Sequence, residues 1–506
     1  MIKLILLTSL IALAQASVDC KHKNYGNDGT VCVCNAEHCD TVDPLEKLPS
    51  GQYVMYTSNL AGKRFFKEVA DFASTSGAKK HAEIDHSEKF QTIHGFGGAF
   101  TDATGINANL LDATTRNHLM RSYFSKEGIE YSVGRVPIGG TDFSTRGYTY
   151  LDTPEPDMDL VNFALAEEDG LYKIPLIKEA LELTENNLSL FASAWTAPKW
   201  MKSNGEYSGS GSLITKYYQT WVDYFIKFFD AYKEKGIEFW GLTTGNEPSL
   251  AFFTFTGINS IGWLPWTQNN WIKNNLGPTI RNHPSYKNLK LIAHDDQRIL
   301  LPLLFTLFDD VEARSYMDGI GVHWYWDDFV PAQWLSQTHN RYPDKFIMGT
   351  EACKGDRPWD EAVLPGSWKR GQAYAVDIIE DLQHWSVGWV DWNMALNETG
   401  GPTYINNNVD APIIVNTTTG EFFKQPSFYA MGHFSKFIPR GSIKIGAPEK
   451  FNGLHVVALD RPNDDGTTVV IINSEEKDVQ VSLYDSNKGY ITRDITAKSF
   501  NTIVYW

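Results

Sequence analysis

Two glutamates stand at the ends of short apolar runs, where carboxylates could carry out acid–base chemistry. Glu247 closes a run that begins at Phe239, and Glu351 closes a run that begins at Lys345. Pro248 cannot continue a central strand, so Glu247 is expected to enter a loop there. In parallel barrel enzymes, reactive groups lie at the carboxyl ends of the strands. Two carboxylates placed in this way could cleave a glycosidic bond, one as acid and base and the other as nucleophile.

Several other predicted strand ends carry polar or aromatic side chains. In a barrel they would gather at one mouth, where polar groups can bind sugar hydroxyls and aromatic faces can stack on a sugar ring. Local packing is the alternative for any one of them. The sequence has neither an HExxH motif nor another paired histidine spacing, so no metal site is predicted. The candidate binding residues are Arg135, Asp142, Trp195, Asn246, His323, Tyr325 and Trp392, with Trp324, Asp391 and Asn393 beside them.

The positions of the strand-like runs predict an α/β protein built on a (β/α)8 TIM barrel. Eight short apolar runs alternate with longer stretches such as 300–316 and 371–383, which carry apolar residues at helical spacing. A doubly wound open sheet is the alternative, but the glycines of 95–98 do not match the dinucleotide-binding fingerprint and instead indicate a tight turn. The predicted strands are Gln91–Ala99, Tyr131–Pro137, Leu188–Trp195, Phe239–Thr244, Leu289–His294, Gly319–Trp324, Phe346–Thr350 and Gly388–Leu396.

The segments that flank the predicted barrel differ from it in pattern. We predict a signal peptide at 1–16, a cysteine-rich β segment at 17–86, the barrel at 87–430 and a C-terminal β domain at 431–506. Near the C-terminus, short runs rich in β-branched and aromatic residues indicate antiparallel strands. Because both flanks adjoin the barrel, we expect the N- and C-terminal segments to pair in one accessory antiparallel β domain.

The N-terminus and the cysteines indicate the secretory pathway. Lys3 precedes a short apolar core, and Ala14-Gln15-Ala16 offers a small-residue cleavage site. Four of the five cysteines crowd into 20–39, which favours two disulfides in an oxidising compartment over a zinc site. The remaining Cys353 is predicted to be a buried, apolar side chain. Glycosylation sequons begin at Asn187, Asn397 and Asn416.

The charge balance limits the possible partners. The chain carries 45 basic and 61 acidic residues, with a formal net charge of −16 at pH 7. This balance argues against nucleic-acid binding, which requires a basic surface. Protonation of the 13 histidines would offset most of the negative charge. We therefore expect an acidic compartment to weaken repulsion from an anionic lipid membrane surface, so that binding to anionic vesicles strengthens as the pH falls.

Longer motifs carry a resemblance to a known family. They include HGFGGAFTDA at His94, RVPIGGTDFS at Arg135, WTAPKWMKSNG at Trp195, GNEPS at Gly245 and EACKG at Glu351. The runs CVCN, DDQR, VHWYWD, DWNMALN and GHFSKFIP extend the match. With these motifs the chain resembles the glucosylceramidases of glycoside hydrolase family 30 over nearly its whole length after the predicted signal peptide.

The resemblance implies a retaining β-glucosidase that hydrolyses glucosylceramide in an acidic lysosomal lumen and uses no cofactor. It implies that Glu247 is the acid/base and Glu351 the nucleophile. A saposin-type activator protein is the implied partner, and Cys20–Cys32 and Cys34–Cys39 are the implied disulfides. The residues that the resemblance places against the sugar are Asp142, Trp195, Asn246 and Trp392, supported by Arg135, His323 and Tyr325.

Two segments depart from the family pattern. LAFFTFT at 250–256 lacks the usual spacing of small and aromatic residues, and Asn408 replaces an aromatic residue found in vertebrate members. Both lie on predicted mouth loops, so they bear on the leaving group and on lipid entry rather than on the reaction. Two alternatives remain: a related family 30 glycosidase acting on another β-linked glycan, and a non-catalytic carbohydrate-binding barrel. The presence of both Glu247 and Glu351 argues against the second.

Overall fold

A closed barrel of eight parallel strands lies at the centre of the computed structural model, which describes residues 17–252 and 257–506. Each strand pairs with the next along the chain, and the eighth pairs with the first, which confirms the predicted (β/α)8 barrel. The strands are β1 (Gly95–Ala99), β2 (Val133–Ile138), β3 (Ser189–Ala194), β4 (Gly241–Thr243), β5 (Lys290–Gln297), β6 (Gly319–His323), β7 (Phe346–Glu351) and β8 (Ser386–Asn393).

Glycines allow the barrel to close around its first strand. A Cβ atom built on Gly97 would lie 1.7 Å from the carbonyl oxygen of Val133 in β2. One built on Gly388 in β8 would lie 2.1 Å from the carbonyl oxygen of Gly95. Any larger residue at these two positions would push the neighbouring strands apart. The residues of β1, β2, β3, β6 and β8 are all buried, as is usual for parallel strands covered by helices.

Helices surround the barrel and connect its strands. The predicted single helical stretch at 300–316 is wrong, because the Asp310 carboxylate accepts hydrogen bonds from two backbone N–H groups and begins a second helix there. Within the described residues, no helix is both long and apolar enough to cross a membrane. The helices are α1 (Asp102–Asn109), α2 (Ala113–Phe124), α3 (Ile174–Leu183), α4 (Tyr218–Glu234), α5 (Pro265–Trp271), α6 (Gly277–Asn282), α7 (Leu301–Phe308), α8 (Val311–Tyr316), α9 (Gln333–Arg341), α10 (Trp368–Gln383) and α11 (Pro426–Ser435).

The accessory β domain is built from both ends of the chain. Strand Gln52–Asn59 pairs antiparallel with strand Ser499–Tyr505 along its length, which confirms the expected pairing of the two terminal segments. Its own apolar core includes Met55, Val469 and Ile503. The other strands of this sheet are Phe66–Asp71, Ala82–Thr92, Ile443–Gly446, Lys450–Phe451, Leu454–Asp460, Thr467–Asn473, Val479–Asp485 and Gly489–Ile495.

The part of the N-terminal segment that carries the four cysteines, residues 20–39, belongs to a different, five-stranded sheet. Its strand His22–Lys23 pairs with Val31–Cys34, which pairs in turn with Glu421–Lys424, and the sheet continues through Ile413–Asn416 to Ala395–Asn397. The disulfides Cys20–Cys32 and Cys34–Cys39 are formed, with the pairing that the resemblance implies. This part of the N-terminal segment therefore packs on the chain that follows β8, whereas the strands of the segment from Gln52 onward join the accessory domain.

Three barrel strands differ from the prediction in more than small shifts of their ends. The predicted strand Gly388–Leu396 leaves the barrel at Asn393, and Leu396 lies in the five-stranded sheet. The run Gln91–Ala99 is split, because Ala82–Thr92 ends in the accessory domain and β1 begins at Gly95, whose φ of 148° requires glycine. β5 extends beyond the predicted end at His294 to Gln297 and so brings further polar residues into the barrel. The predicted signal peptide at 1–16 lies outside the described residues.

Candidate active site

The two glutamates singled out from the sequence lie together at the carboxyl ends of β4 and β7. Glu351 is the last residue of β7, and Glu247 follows β4 in a tight turn. One carboxylate oxygen of each glutamate and one ring nitrogen of His323 lie within 4.8 Å of one another. Both glutamate side chains are largely buried. The structure therefore forms a close carboxylate pair at the mouth of the barrel.

The backbone holds Glu247 in an unusual conformation. Its φ is 41°, in the left-handed region that non-glycine residues rarely adopt. The Asn246 N–H donates to the carbonyl oxygen of Ala194 at 2.9 Å, and the Glu247 N–H donates to that of Asp295, also at 2.9 Å. These bonds to the neighbouring strands maintain the turn, and local strain of this kind is common at functional sites.

A bulge in β5 places Asp295 inside the barrel. The register of β5 against β6 shifts between His294 and Asp296. His294 and Asp295 both have positive φ, 74° and 52°. An inserted residue of this kind turns a side chain away from the regular alternation of a strand. The sequence indicates no role for Asp295, which begins the DDQR motif, because the predicted strand ends at His294.

Asp295 is the buried anion around which the site is organised. It accepts hydrogen bonds from the guanidinium of Arg135 at 2.8 Å and from the hydroxyls of Ser193 and Thr350 at 2.7 Å. Burial opposes its ionisation, but the charge of Arg135 and the hydrogen bond from His323 hold the pKa of Asp295 well below its usual range. Asp295 therefore stays ionised below the pH at which an ordinary aspartate becomes protonated.

Arg135 joins the nucleophile candidate to the acid/base turn. Its guanidinium donates to Oε2 of Glu351 and, at 2.8 Å, to Oδ1 of Asn246. The stacked rings of Trp195 and Trp392, with centroids 5.0 Å apart, lie 4.7 and 5.5 Å from the guanidinium carbon. Both indoles are almost fully buried, so they support Arg135 through cation–π contact as well as forming a wall of the site.

His323 is a buried cation between two carboxylates. Its Nδ1 lies 2.9 Å from Oε1 of Glu247, and its Nε2 lies 3.1 Å from Oδ1 of Asp295. Burial lowers its pKa, but the charge of Glu351 and the hydrogen bonds to Asp295 and Glu247 raise the pKa of His323 to about 10. Both ring nitrogens therefore donate at acidic pH. The Gln297 amide donates to the same Glu247 oxygen at 2.6 Å and further fixes its orientation.

Glu351 receives one donor on each oxygen. The Tyr325 hydroxyl donates to Oε1 at 2.8 Å, and Arg135 donates to Oε2. Burial, reinforced by the negative charge of Glu247, raises the pKa of Glu351 above its ordinary value, whereas His323 and Arg135 act to lower it. The two cations and the tyrosine therefore limit this shift and favour the charged carboxylate that a nucleophile requires.

Asp142 faces the site from the loop after β2. It accepts a hydrogen bond from the Asn407 amide at 2.8 Å. Burial, with the charge of Glu351, raises its pKa to about 7, so Asp142 is largely protonated in acid. Asn407 was not predicted from the sequence, in which its neighbour Asn408 stands out; the Asn408 amide instead donates to the carbonyl oxygen of Thr399.

The same groups could in principle hold a metal ion, since Glu247, His323 and Glu351 cluster closely. However, the raised pKa of His323 leaves both ring nitrogens protonated in acid, and Arg135 already donates to Glu351. Metal ligands must instead be deprotonated. Cys353 is buried, as predicted, and burial raises the pKa of its thiol, so it is a poor nucleophile.

The three sequon asparagines lie away from these groups. Asn187 is exposed, whereas Asn397 and Asn416 are half-buried. The side-chain oxygen of Asn397 accepts hydrogen bonds from the backbone N–H groups of Thr399 and Gly401, at 3.1 and 2.9 Å. Glycosylation at all three stays a prediction.

The arrangement suits a reaction that two carboxylates carry out in sequence. Glu351 is held by two donors and lies near the charge of His323, all of which favour its negative charge, while Glu247 is oriented by two donors that meet at one of its oxygens. A separation of roughly 5 Å between the carboxyl groups leaves no room for a water molecule between nucleophile and substrate, as in glycosidases that retain anomeric configuration.

Known proteins match the chain over most of its length. A model of the glycosyl hydrolase family 30 TIM-barrel domain matches residues 93–438. Lysosomal acid glucosylceramidase of Mus musculus is 42% identical over 503 residues, which cover 98% of this chain and 97% of that protein. Endo-1,6-beta-D-glucanase neg1 of Aspergillus fumigatus is 28% identical over 457 residues, which cover 85% of this chain and 89% of that protein.

Solved structures show the same fold. SrfJ from Salmonella typhimurium superposes with a TM-score of 0.82 at 23% identity, covering 90% of this chain and 99% of that chain. The endo-beta1,6-glucanase BT3312 gives a TM-score of 0.79 at 24% identity, with the same two coverages. Because these matches span about nine tenths of the chain, the similarity extends beyond the barrel.

Proposed function

Because the chain belongs to glycosyl hydrolase family 30 and is therefore a glycosidase, we propose that it is a retaining β-glucosidase that hydrolyses glucosylceramide to glucose and ceramide. The observation that carries this proposal is the close pair formed by Glu247 and Glu351, whose carboxylate oxygens approach within 4.8 Å. Such a pair supports a double displacement through a covalent glucosyl–enzyme ester.

In the first step the Glu351 carboxylate attacks the anomeric carbon, and Glu247 donates a proton to the departing glycosidic oxygen. In the second step Glu247 takes a proton from water, which attacks the anomeric carbon and releases Glu351. Arg135 and the Tyr325 hydroxyl hold Glu351 in line for the attack. His323 donates to Glu247 and so fixes the direction of its carboxyl group.

The sugar would lie against Trp195 and Trp392. Its hydroxyls would form hydrogen bonds with Asn246, Asp142 and the Asn407 that contacts Asp142. The side-chain oxygen of Asn246 accepts a hydrogen bond from Arg135, which leaves the NH2 group of the same amide to donate to a sugar hydroxyl. The neutral form of Asp142 in acid can both donate to and accept from a hydroxyl group.

The ceramide part of the substrate is supported by the relative and by the rim of the barrel. The mouse protein similar to this chain over 98% of its length is named as a glucosylceramidase. Large apolar side chains are exposed on loops at this rim: Trp326 is 45% exposed, Phe329 64% and Trp359 76%. Exposed apolar groups of this size are typical of surfaces that contact lipid or protein. We therefore propose peripheral binding to an anionic membrane in the lysosomal lumen, with a saposin-type activator as a partner.

A β-linked glucan is the alternative substrate, because the fungal relative at 28% identity is named as an endo-1,6-beta-D-glucanase. The purified protein should be assayed at acidic pH on glucosylceramide in mixed micelles with anionic phospholipid, and on soluble β-1,6-glucan oligosaccharides. Release of glucose and ceramide, with little cleavage of the glucan, supports the proposal. Faster cleavage of the glucan would refute the substrate assignment.

The role of Glu247 has its own test in the variant Glu247→Gln. Loss of the general acid should slow glucosylceramide hydrolysis by about 10²- to 10⁴-fold. Formation of the glucosyl ester from a dinitrophenyl β-glucoside should be slowed far less, because that leaving group needs little protonation. Equal losses with both substrates would contradict the acid/base assignment.

A further inference from the structure

A cluster of three aspartates, of which Asp381 is buried and the other two are largely buried, lies beside the active site and takes no part in the chemistry described above. Asp327 follows β6, and Asp377 and Asp381 lie one turn apart on α10. One oxygen of each of the three lies within 4.8 Å of the others. We call this group the carboxylate cluster.

A single guanidinium serves all three carboxylates. The Arg298 guanidinium lies 2.5 Å from Asp327, 2.6 Å from Asp381 and 3.7 Å from Asp377. Trp389 donates its indole N–H to Asp377 at 2.9 Å. If all three aspartates were ionised, they and Arg298 together would carry a net charge of about −2 in a site that is largely closed to water. Such a charge is costly to bury, which favours a proton on at least one of the aspartates.

The carboxylate cluster is attached to the loop that orients the nucleophile. The loop 324–330 contains Asp327 and also Tyr325, whose hydroxyl donates to Glu351 at 2.8 Å. Arg298 donates to the carbonyl oxygen of Val330 at 3.2 Å, at the end of this loop. Because Asp327 is two residues from Tyr325, a change in how Asp327 is held must be transmitted to the tyrosine backbone.

The opposite side of the loop is held by a second arginine. The Arg357 guanidinium donates to the carbonyl oxygen of Tyr325 and stacks near the rings of Trp326 and Phe329, at 4.9 and 5.7 Å. The contacts of Arg357 do not depend on the protonation of an aspartate in the cluster. Arg357 also lies 3.4 Å from Asp356, whose pKa is raised by burial, so this side of the loop carries a titratable group outside the cluster. The attachment of the loop to the carboxylate cluster itself is the one through Asp327.

We propose that the carboxylate cluster is a proton-linked clamp that positions Tyr325 in acid and releases it as the pH approaches and passes neutrality. One oxygen of Asp327 and one of Asp377 lie within 4.8 Å of each other, and the buried Oδ1 of Asp327 has no hydrogen-bond donor among the described residues. A proton on either carboxyl group relieves the repulsion between the loop and α10, and loss of that proton restores it. The carboxylate cluster thus acts as a positioning group: it controls where Tyr325 lies without contacting the substrate.

The charges that face the cluster support this direction. Burial raises the pKa of all three aspartates, that of Asp381 to about 8, and Arg298 opposes the shift. Because the pKa values are raised in the folded protein, the protonated aspartates stabilise the clamped fold fully below the ordinary pKa range of aspartate. This stabilisation of the fold is lost as the pH rises through the raised pKa values. Two other titratable groups face the cluster directly, Lys354 and Glu380. Four more surround Glu380 and the end of α10: Lys450, Glu449, His455 and His384.

The test replaces Asp377 by asparagine, which keeps an amide able to hydrogen-bond to Asp327 but cannot ionise. The exposed neighbour of the cluster, Asp328, gives the matched control Asp328→Asn. The substrate is a dinitrophenyl β-glucoside, so that protonation of Glu247 does not limit the first step. The ratio of kcat at pH 7.5 to kcat at pH 5.5 should rise by about threefold or more in Asp377→Asn, a shift of about half a pH unit in the alkaline limb, with KM little changed. Asp328→Asn should follow the wild type.

A second measurement needs no substrate. Hydrogen exchange of peptides that contain 324–330, corrected for intrinsic rates, should accelerate between pH 5.5 and 7.5 in the wild type and remain slow in Asp377→Asn. Asp381→Asn should behave in the same way and serves if Asp377→Asn does not fold. The proposal is overturned if the variants and the wild type share one pH profile and one exchange pattern. It is also overturned if millimolar Ca²⁺ restores the neutral-pH activity of the wild type, which would identify a cation site.

The clamp rests on the proposed function only for the role of Tyr325. If the wild type hydrolyses no β-glucoside while loop exchange depends on pH and on Asp377 as described, the proposed function fails and the clamp stands. If β-glucosides are hydrolysed and loop exchange is independent of pH, the clamp fails and the proposed function stands.

Discussion

Replacing Asp295 by asparagine removes the negative charge that lies between the two buried cations of the site. Asp295 is 2.8 Å from Arg135 and 3.1 Å from His323, and all three side chains are fully buried. Removing one partner of a buried ion pair costs about 3 to 5 kcal/mol, because the remaining charge has no compensation. The loss should appear equally at pH 5 and pH 7, since the depressed pKa of Asp295 keeps its contribution intact above the ordinary range for aspartate.

The same change should move the titration of His323. The raised pKa of about 10 means that His323 stabilises the fold fully below its ordinary pKa and that this contribution is lost only as the pH rises toward 10. Without Asp295, the loss should begin at lower pH. We also expect kcat to fall by about 10²-fold or more, because Arg135 and His323 would no longer be held against Glu351 and Glu247.

Urea unfolding at pH 5 and 7, with steady-state kinetics on an aryl β-glucoside, measures both effects. Ser193→Ala is the matched control, because it removes one neutral donor to Asp295 and should cost only about 1 kcal/mol. Equal destabilisation by Asp295→Asn and Ser193→Ala would refute the view that Asp295 acts as the shared counter-ion. Unchanged kcat in Asp295→Asn would refute its role in positioning the cations.

Three further changes test separate contacts. Tyr325→Phe should lower kcat by about tenfold with little change in the unfolding temperature, because one hydrogen bond to a charged carboxylate is lost; an unchanged kcat would contradict this. Asn407→Ala should raise KM for β-glucosides by about tenfold, since Asp142 loses its partner and the sugar loses a neighbour; a change in kcat alone would count against it. The double variant Cys34→Ser with Cys39→Ser should lower the free energy of unfolding by about 2 kcal/mol relative to the oxidised wild type. Equal free energies of unfolding for the two proteins would contradict a stabilising role of this disulfide.

The sequence was sufficient to locate the reactive end of the barrel. Glu247 and Glu351 each follow a short apolar run, and a buried parallel strand must present its next residues at the carboxyl end of the sheet. Arg135, His323 and Tyr325 were found for the same reason. These residues are distant in sequence, but the repeated strand–helix unit brings the ends of all the barrel strands to one mouth.

The contacts that organise the site were harder to predict. Asp295 lies in a bulge of β5, and a polar residue after an apolar run looks like the start of a loop. Nothing in the local pattern shows that Arg135 and His323 converge on it. Asn407 and Asn408 have the same side chain, so only the path of the loop decides which one reaches Asp142. The apolar run at 91–99 also concealed a domain boundary, because the turn at Gly95 depends on a backbone angle.

The most direct test of the account is to identify the residue that carries the covalent intermediate. The enzyme should be incubated with a 2-deoxy-2-fluoro-β-glucoside that has an activated leaving group, digested, and mapped by mass spectrometry. We expect a single fluoroglucosyl ester on Glu351 and loss of activity in proportion to labelling. A label on Glu247, or rapid turnover of β-glucosides with no covalent adduct, would contradict the proposed roles of the two glutamates.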